Sequence, residues 1–199
     1  MTSPTVAVRS AVTARGLFDY RHAFVLDDDE LTAGPILDCP GGASPFAAHP
    51  RARGGIVISV DPIYDQPVED IVGRVTANLA HAPDWLTAHR DSIDWSYLGS
   101  PDAHIRASEV AADLFAVDYT AHPEHYVAAA LPALPFPDRH FRLALSANLL
   151  FVYTQDLSFD DHLAALLELT RVTHEEVRVH PLLDPTGPST PTSTSSEPR

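Results

Sequence analysis

The chain has 199 residues, 45% of them hydrophobic and 20% charged, enough for one domain with a substantial core. Its formal net charge is −14 and all 13 basic residues are arginine, a balance that argues against a nucleic-acid partner. A single cysteine, Cys39, leaves no intramolecular disulfide and no cysteine-based zinc cluster. No run approaches the roughly 20 apolar residues needed to span a bilayer, and Met1 to Arg15 lacks the pattern of a secretory signal. The expectation is a cytoplasmic protein with no membrane contact.

Residues 1–14 carry no apolar periodicity and are expected to be a flexible terminus. Leu17 to Leu26 bears Phe18, Tyr20 and Phe24 and reads as a helix or turn packed on the body. Ile36 and Leu37 open a first strand. Gly41-Gly42 then turns the chain, and Ser44 to about Ala52 is expected to be a short helix, with Pro45 early in it and Pro50 ending or kinking it. Ile56 to Val60 is almost wholly apolar and β-branched, as in a strand buried on both faces.

The stretch 67–122 predicts helices over Val68–Leu79 and Ala103–Tyr119, forming a helical insertion. Tyr126–Ala130 reads as a third strand, Leu134–Asp138 as a turn and Phe141–Ser146 as a fourth strand. Leu157–Val172 is the clearest helix, with Ser158 placed to cap it and Asp161 three residues on. Val177–Leu183 reads as a fifth strand, and 185–199 is rich in Pro, Ser and Thr, as in a disordered tail. Strands alternating with helices predict an α/β doubly wound, mainly parallel sheet of about five strands.

Two acids carry the functional reading. Asp38 ends the first strand just before Pro40-Gly41-Gly42, where the bare backbone lets a ligand approach closely. Asp61 ends the second strand, where an acid can accept both hydroxyls of a ribose. A plain strand-to-helix turn and a helix cap are the structural alternatives. The turn lacks the G-x-G-x-x-G spacing of dinucleotide-binding folds, which weakens a nicotinamide-dependent oxidoreductase. The 11 histidines form no helical pair with an intervening acid, so no metal site is expected. Cys39 has no nameable activating base, and Trp85 and Trp95 suit core anchors better than a pocket.

The chain resembles class I S-adenosylmethionine-dependent methyltransferases. The resemblance rests on Ile36-Leu-Asp-Cys-Pro-Gly-Gly42, Val60-Asp61, Leu134-Pro-Phe-Pro-Asp138, Phe141-Arg-Leu-Ala-Leu-Ser146 and the helix-strand pair Leu163–Leu183, in order over about residues 17–184. It implies a Rossmann-like methyltransferase domain over 15–184, with S-adenosyl-L-methionine as cofactor and a small-molecule acceptor. Asp38 and the Gly41-Gly42 backbone would hold the methionine part, Asp61 the ribose, and Pro62, Ile63 and Leu131 the adenine, with Pro40 and Ser44 also in contact with the cofactor. Ser146 and Asn148 would border the transferring methyl group, Asn148 orienting the acceptor or else capping a helix, and Tyr20 and Phe24 would form an N-terminal cover. No residue stands out as a catalytic base, and the oligomeric state is left open.

The chain departs from the family pattern at Ala130, where many members have an acid, and at Arg142, where many have Asp. The family's fold also continues past the fifth strand with a helix and a strand hairpin, whereas here Asp184 runs into Pro185-Thr-Gly-Pro-Ser. The expectation is a C-terminally incomplete member lacking that hairpin. A non-catalytic or degenerate S-adenosylmethionine-binding protein is the alternative.

Overall fold

The short apolar runs become strands β1 (Ile36–Asp38), β2 (Val57–Val60), β3 (Tyr126–Val127), β4 (Phe141–Ala147) and β5 (Thr173–His180) in a computed structural model that describes residues 11–88, 95–153 and 156–182. All pair in parallel, in the order β3-β2-β1-β4-β5. The helices are α1 (Leu17–Phe24), α2 (Ala48–Arg51), α3 (Val68–Ala88), α4 (Trp95–Leu98), α5 (Pro101–Ala121) and α6 (Phe159–Val172), with 3-10 turns at Pro62–Asp65 and Pro123–His125. This is a doubly wound, Rossmann-like α/β fold. Strand order runs outward from β1 to β3, then restarts at β4 on the other side of β1. The carboxyl ends of β1 and β4 therefore border the switch point where such sheets open a crevice.

Side-chain alternation along the strands sorts the core into layers. Leu37 pairs in register with Ile58 and Ala144, and this face packs on Ala165, Leu169 and Val172 of α6. Ile36, Val57, Leu143 and Leu145 point the other way, onto Tyr20 and Phe24 of α1. Tyr126, in register with Ser59, joins Ile71, Val75, Ala111, Ala112 and Phe115, so α3 and α5 pack together against the β3 side of that second face. Helices thus cover both faces.

The element boundaries differ from expectation where proline or edge position intervenes. Regular helix in the first crossover shrinks to Ala48–Arg51, because Pro50 has no N–H to give the Phe46 carbonyl. Helix α3 instead runs on through Pro83 to Ala88, nine residues past Leu79, and buries Leu86 on that extension. Strand β3 stops at Val127, and a bridge between Ala130 and Ala133 takes over. Strand β5 starts at Thr173, directly after α6, and the three residues that follow this buried threonine are exposed His and Glu. Among the described residues β5 pairs only with β4, and an edge strand needs no apolar alternation. The expected tail at 185–199 and the first ten residues lie outside the described residues.

The α6 cap forms as its sequence predicts. Ser158 Oγ accepts the Asp161 N–H at 3.2 Å, and the Asp161 carboxylate accepts the Ser158 N–H at 2.9 Å. Ser158→Ala is expected to cost about 1 kcal/mol, read as a lower urea midpoint at unchanged slope. Among the described residues no helix is long and apolar enough to cross a membrane.

Candidate functional site

The turn after β1 is tied to the end of β2 through backbone groups. Gly41 donates to the Val60 carbonyl at 3.0 Å. Gly42 has φ +58° and donates to Asp61 Oδ2 at 3.0 Å, while Asp61 Oδ1 accepts the Ile63 N–H at 3.1 Å and caps the 3-10 turn. Tyr64 Oη returns a hydrogen bond to the Gly42 carbonyl at 2.7 Å. One carboxylate therefore fixes both the glycine turn and the loop after β2.

Glycine is required at both positions by the chain's own packing. A Cβ at Gly41 would lie 2.4 Å from Tyr64 Oη and 2.9 Å from Ser59 Cβ. At Gly42 it would lie 2.7 Å from the Thr13 carbonyl, in a left-handed conformation that side chains disfavour.

Asp38 is fully buried at the end of β1, on the same face as Ile36. Its carboxyl accepts from Tyr20 Oη at 2.9 Å and Ser59 Oγ at 3.1 Å. Burial pushes this carboxyl up to about 7, against the pull of the Arg15 guanidinium and these two hydroxyls, and the nearby Asp61 charge adds to the rise. Burial also raises Asp61, opposed by the N–H groups of Ile63 and Gly42. Tyr20 is raised by burial and by Asp38, so its hydroxyl stays a proton donor, and its ring stacks on Phe46 at 4.1 Å.

Residues 11–15 lie over this turn. Ala43 donates to the Thr13 carbonyl at 3.0 Å, Asn78 Nδ2 to the Val12 carbonyl at 2.8 Å, and the Arg15 N–H to Ser44 Oγ at 3.1 Å. The Arg15 guanidinium sits 5.6 Å from the Tyr20 ring centre and reaches the Pro40 carbonyl, and its buried Nε has no hydrogen-bond partner among the described residues. The space left between this segment, Pro40, Gly42, Asp61, Ile63 and Asn148 is a cavity of about 30 Å³.

The residues predicted for the site divide accordingly. Pro40, Gly42, Asp61 and Ile63 line one cavity at the carboxyl ends of β1 and β2, whereas Asp38, Gly41 and Ser44 are packed beside it and do not line it. Pro62 is exposed at the start of the 3-10 turn. Leu131 is buried in the α6-side core with Leu37 and Phe141, and does not line the cavity. Ser146 is buried with its hydroxyl unpartnered, while its neighbours Ala147 and Asn148 line the cavity. Asn148 adopts φ +53° and donates its N–H to the His180 carbonyl, so it shapes a turn after β4 and caps no helix.

Tyr20 and Phe24, expected in an N-terminal cover, are core residues packed on Ile36, Leu143 and Leu145 of the sheet. Tyr20 and Phe24 are buried, and Tyr97 of α4 stacks on Phe18 at 5.3 Å and on His22 at 3.8 Å. Helices α1 and α4 thereby close the seam between the N-terminal region and the helical stretch 67–122. Trp85 is 45% exposed at the end of α3 and is not a core anchor. Burial drives the Cys39 thiol well up, away from the thiolate a nucleophile needs. Among the described residues no group of three or more His, Cys, Asp or Glu is arranged to hold a metal ion.

Sequence reasoning missed Thr13, Arg15, Tyr64 and Asn78. Their contacts with the turn or with residues 11–15 come from distant parts of the chain, and no local pattern marks them. Ser59 did carry a signal: a polar residue in an otherwise apolar buried strand needs a buried partner, and Asp38 supplies it.

The Asp61 carboxylate uses two of its roughly four acceptor positions on the backbone N–H groups of Gly42 and Ile63. The cavity of about 30 Å³ holds a water or so, whereas small-molecule sites run to roughly 300–1,000 Å³. No protein-family model matches the chain. It is 26% identical over 183 residues to an uncharacterized protein of Methanocaldococcus jannaschii, an alignment covering 89% of this chain and 80% of that protein.

Proposed function

We propose that the chain binds S-adenosyl-L-methionine in the crevice at the switch point and transfers its methyl group to a small-molecule acceptor. The observation that carries this reading is the link from Asp61 to the Gly42 N–H across the ends of β1 and β2, with Asp38 buried beside it. On this reading Asp61 accepts the ribose hydroxyls, and Asp38 with the Pro40–Gly42 backbone receives the amino-acid end. Ile63, buried against the cavity, offers an apolar surface for the adenine.

When bound, the cofactor supplies an electrophilic methyl group on a sulfonium leaving group. The chain's part is to align the acceptor and exclude water. Asn148, on the cavity wall after β4, is suited to orient an acceptor. The residues lining the cavity include no histidine and no carboxylate other than Asp61. This favours an acceptor that is nucleophilic without an enzymic base, and the net charge of −14 favours a small molecule over a nucleic acid.

The second reading, S-adenosylmethionine binding without catalysis, is favoured by the occupancy of the crevice by residues 11–15. Calorimetric titration of the full-length protein with S-adenosylmethionine, S-adenosylhomocysteine and NAD tests both. Binding of the first two alone is the expected result. Binding of NAD alone, or of none, overturns the proposal. Binding without methyl transfer across a broad acceptor panel selects the second reading.

A further inference from the structure

Three features outside the proposed chemistry invite a role. The groove between α3 and α5, about 500 Å³ and lined by Val72, Leu79 and Ile105 with Glu109 and Asp113, is open to solvent, and its two carboxylates are exposed. Helix α5 exposes an apolar stripe of Val110, Leu114 and Val117. Segment 11–15 across the crevice is tied down by hydrogen bonds from three separate parts of the chain, and these contacts carry an argument furthest.

We propose that residues 11–15 are an internal plug that occupies the ligand crevice with ligand-like groups, and that an amino-acid-bearing nucleoside binds by displacing it. The inference deepens the cofactor reading above and rests on it. The Thr13 carbonyl accepts the Ala43 N–H at 3.0 Å, as a ligand carboxylate would, and sits against Gly42, in the space a bare glycine leaves for a ligand. The Arg15 guanidinium brings a cation next to the Tyr20–Asp38 pair, where a ligand ammonium would sit. Its buried Nε finds no acceptor, so the imitation is imperfect and the plug leaves a polar group unsatisfied. The remaining 30 Å³ makes plug and ligand mutually exclusive.

Mutual exclusion has a thermodynamic consequence. The apparent dissociation constant is the intrinsic one divided by the fraction of molecules with the plug released. Any change that loosens the plug without touching the crevice must tighten ligand binding. Asn78 is such a lever: it lies on α3, holds the Val12 carbonyl at 2.8 Å, and does not line the cavity. Alanine there is a good helix former, so the fold is kept.

The test uses full-length wild type and Asn78→Ala with S-adenosylhomocysteine as probe. Loss of one hydrogen bond is expected to tighten binding by about fivefold in calorimetry. Trypsin gives a second readout, because Arg15 is packed in the crevice when the plug is seated. The probe is expected to speed cleavage after Arg15 while slowing cleavage elsewhere. Wild-type binding with unchanged cleavage after Arg15, or with equal affinity in Asn78→Ala, overturns the plug and leaves the cofactor reading standing. Slower cleavage after Arg15 with weaker binding by Asn78→Ala overturns displacement and makes the segment a clasp over bound ligand. No binding by either protein overturns both.

Discussion

Asp61→Ala is expected to weaken S-adenosylhomocysteine binding at least tenfold and, independently, to lower stability by about 2–5 kcal/mol. The two losses have separate causes. The first follows, on the proposed reading, from removing a charged acceptor of ribose hydroxyls, each such bond being worth roughly 1.5–3 kcal/mol. The second follows from the Gly42 and Ile63 N–H groups, both bonded to this one carboxylate and left without an acceptor when it is gone. Asp61→Asn separates them: its single carbonyl oxygen can keep one N–H bond, so it should recover part of the stability while binding stays impaired. Calorimetric affinity together with urea midpoints for the two variants checks this. Unchanged affinity in both would remove Asp61 from the ligand site.

Asp38→Asn is expected to stabilise the protein at alkaline pH while impairing ligand binding. Burial holds the Asp38 carboxyl at about 7 in the folded chain, against about 3.9 in an unfolded one. The folded state therefore keeps a proton that the unfolded chain releases near pH 4. The stability carried by the neutral carboxyl is fully present below about pH 4 and is lost as pH rises toward and through 7. By pH 8 the loss is on the order of 2–4 kcal/mol. Asparagine has no charge to bury and can still accept from Tyr20, while Ser59 turns its hydroxyl to accept from the new amide. The variant should gain on wild type steadily between pH 4 and 7, then hold a constant lead worth roughly 5–12 °C in melting temperature. A lead that does not change with pH would mean that Asp38 is ionised in the folded state throughout. On the proposed reading the same substitution removes the partner for a ligand ammonium, so greater stability and weaker binding should appear together. Such an opposition is what a group kept for function at a cost to the fold produces.

The periodic signals along the chain determined the architecture. Ile36-Leu37 and the run ending at Val60 are apolar on both faces, which suits only interior strands of a helix-covered sheet. Ser158 and Asp161 set the start of α6 by themselves, because a capping box closes within four residues. Asp38, Gly41, Gly42 and Asp61 were legible as a group for a related reason. Strand ends fall where apolar runs stop, and parallel pairing of neighbouring strands brings those ends together. The start of β5 was not legible, since Thr173 to Glu176 are polar residues on an edge strand and leave no alternation to read. Leu131 and Ser146 were assigned to the crevice from their places just past β3 and at the end of β4, yet they pack elsewhere. A one-residue change at a strand end sends a side chain to the opposite face of the sheet, and here Ala147 and Asn148, not Ser146, line the cavity.

Only the tertiary structure decided what fills the crevice. Thr13 and Arg15 meet Ala43, Ser44 and Pro40 across 25 residues or more. A contact of that kind forms only because the sheet order carries the end of β1 beneath the N-terminal segment, and nothing in the local sequence records it. The same holds for the Asp38 proton. An aspartate at a strand end reads identically whether water reaches it or not, and it is burial in the folded chain that raises its pKa to about 7, against the pull of Arg15.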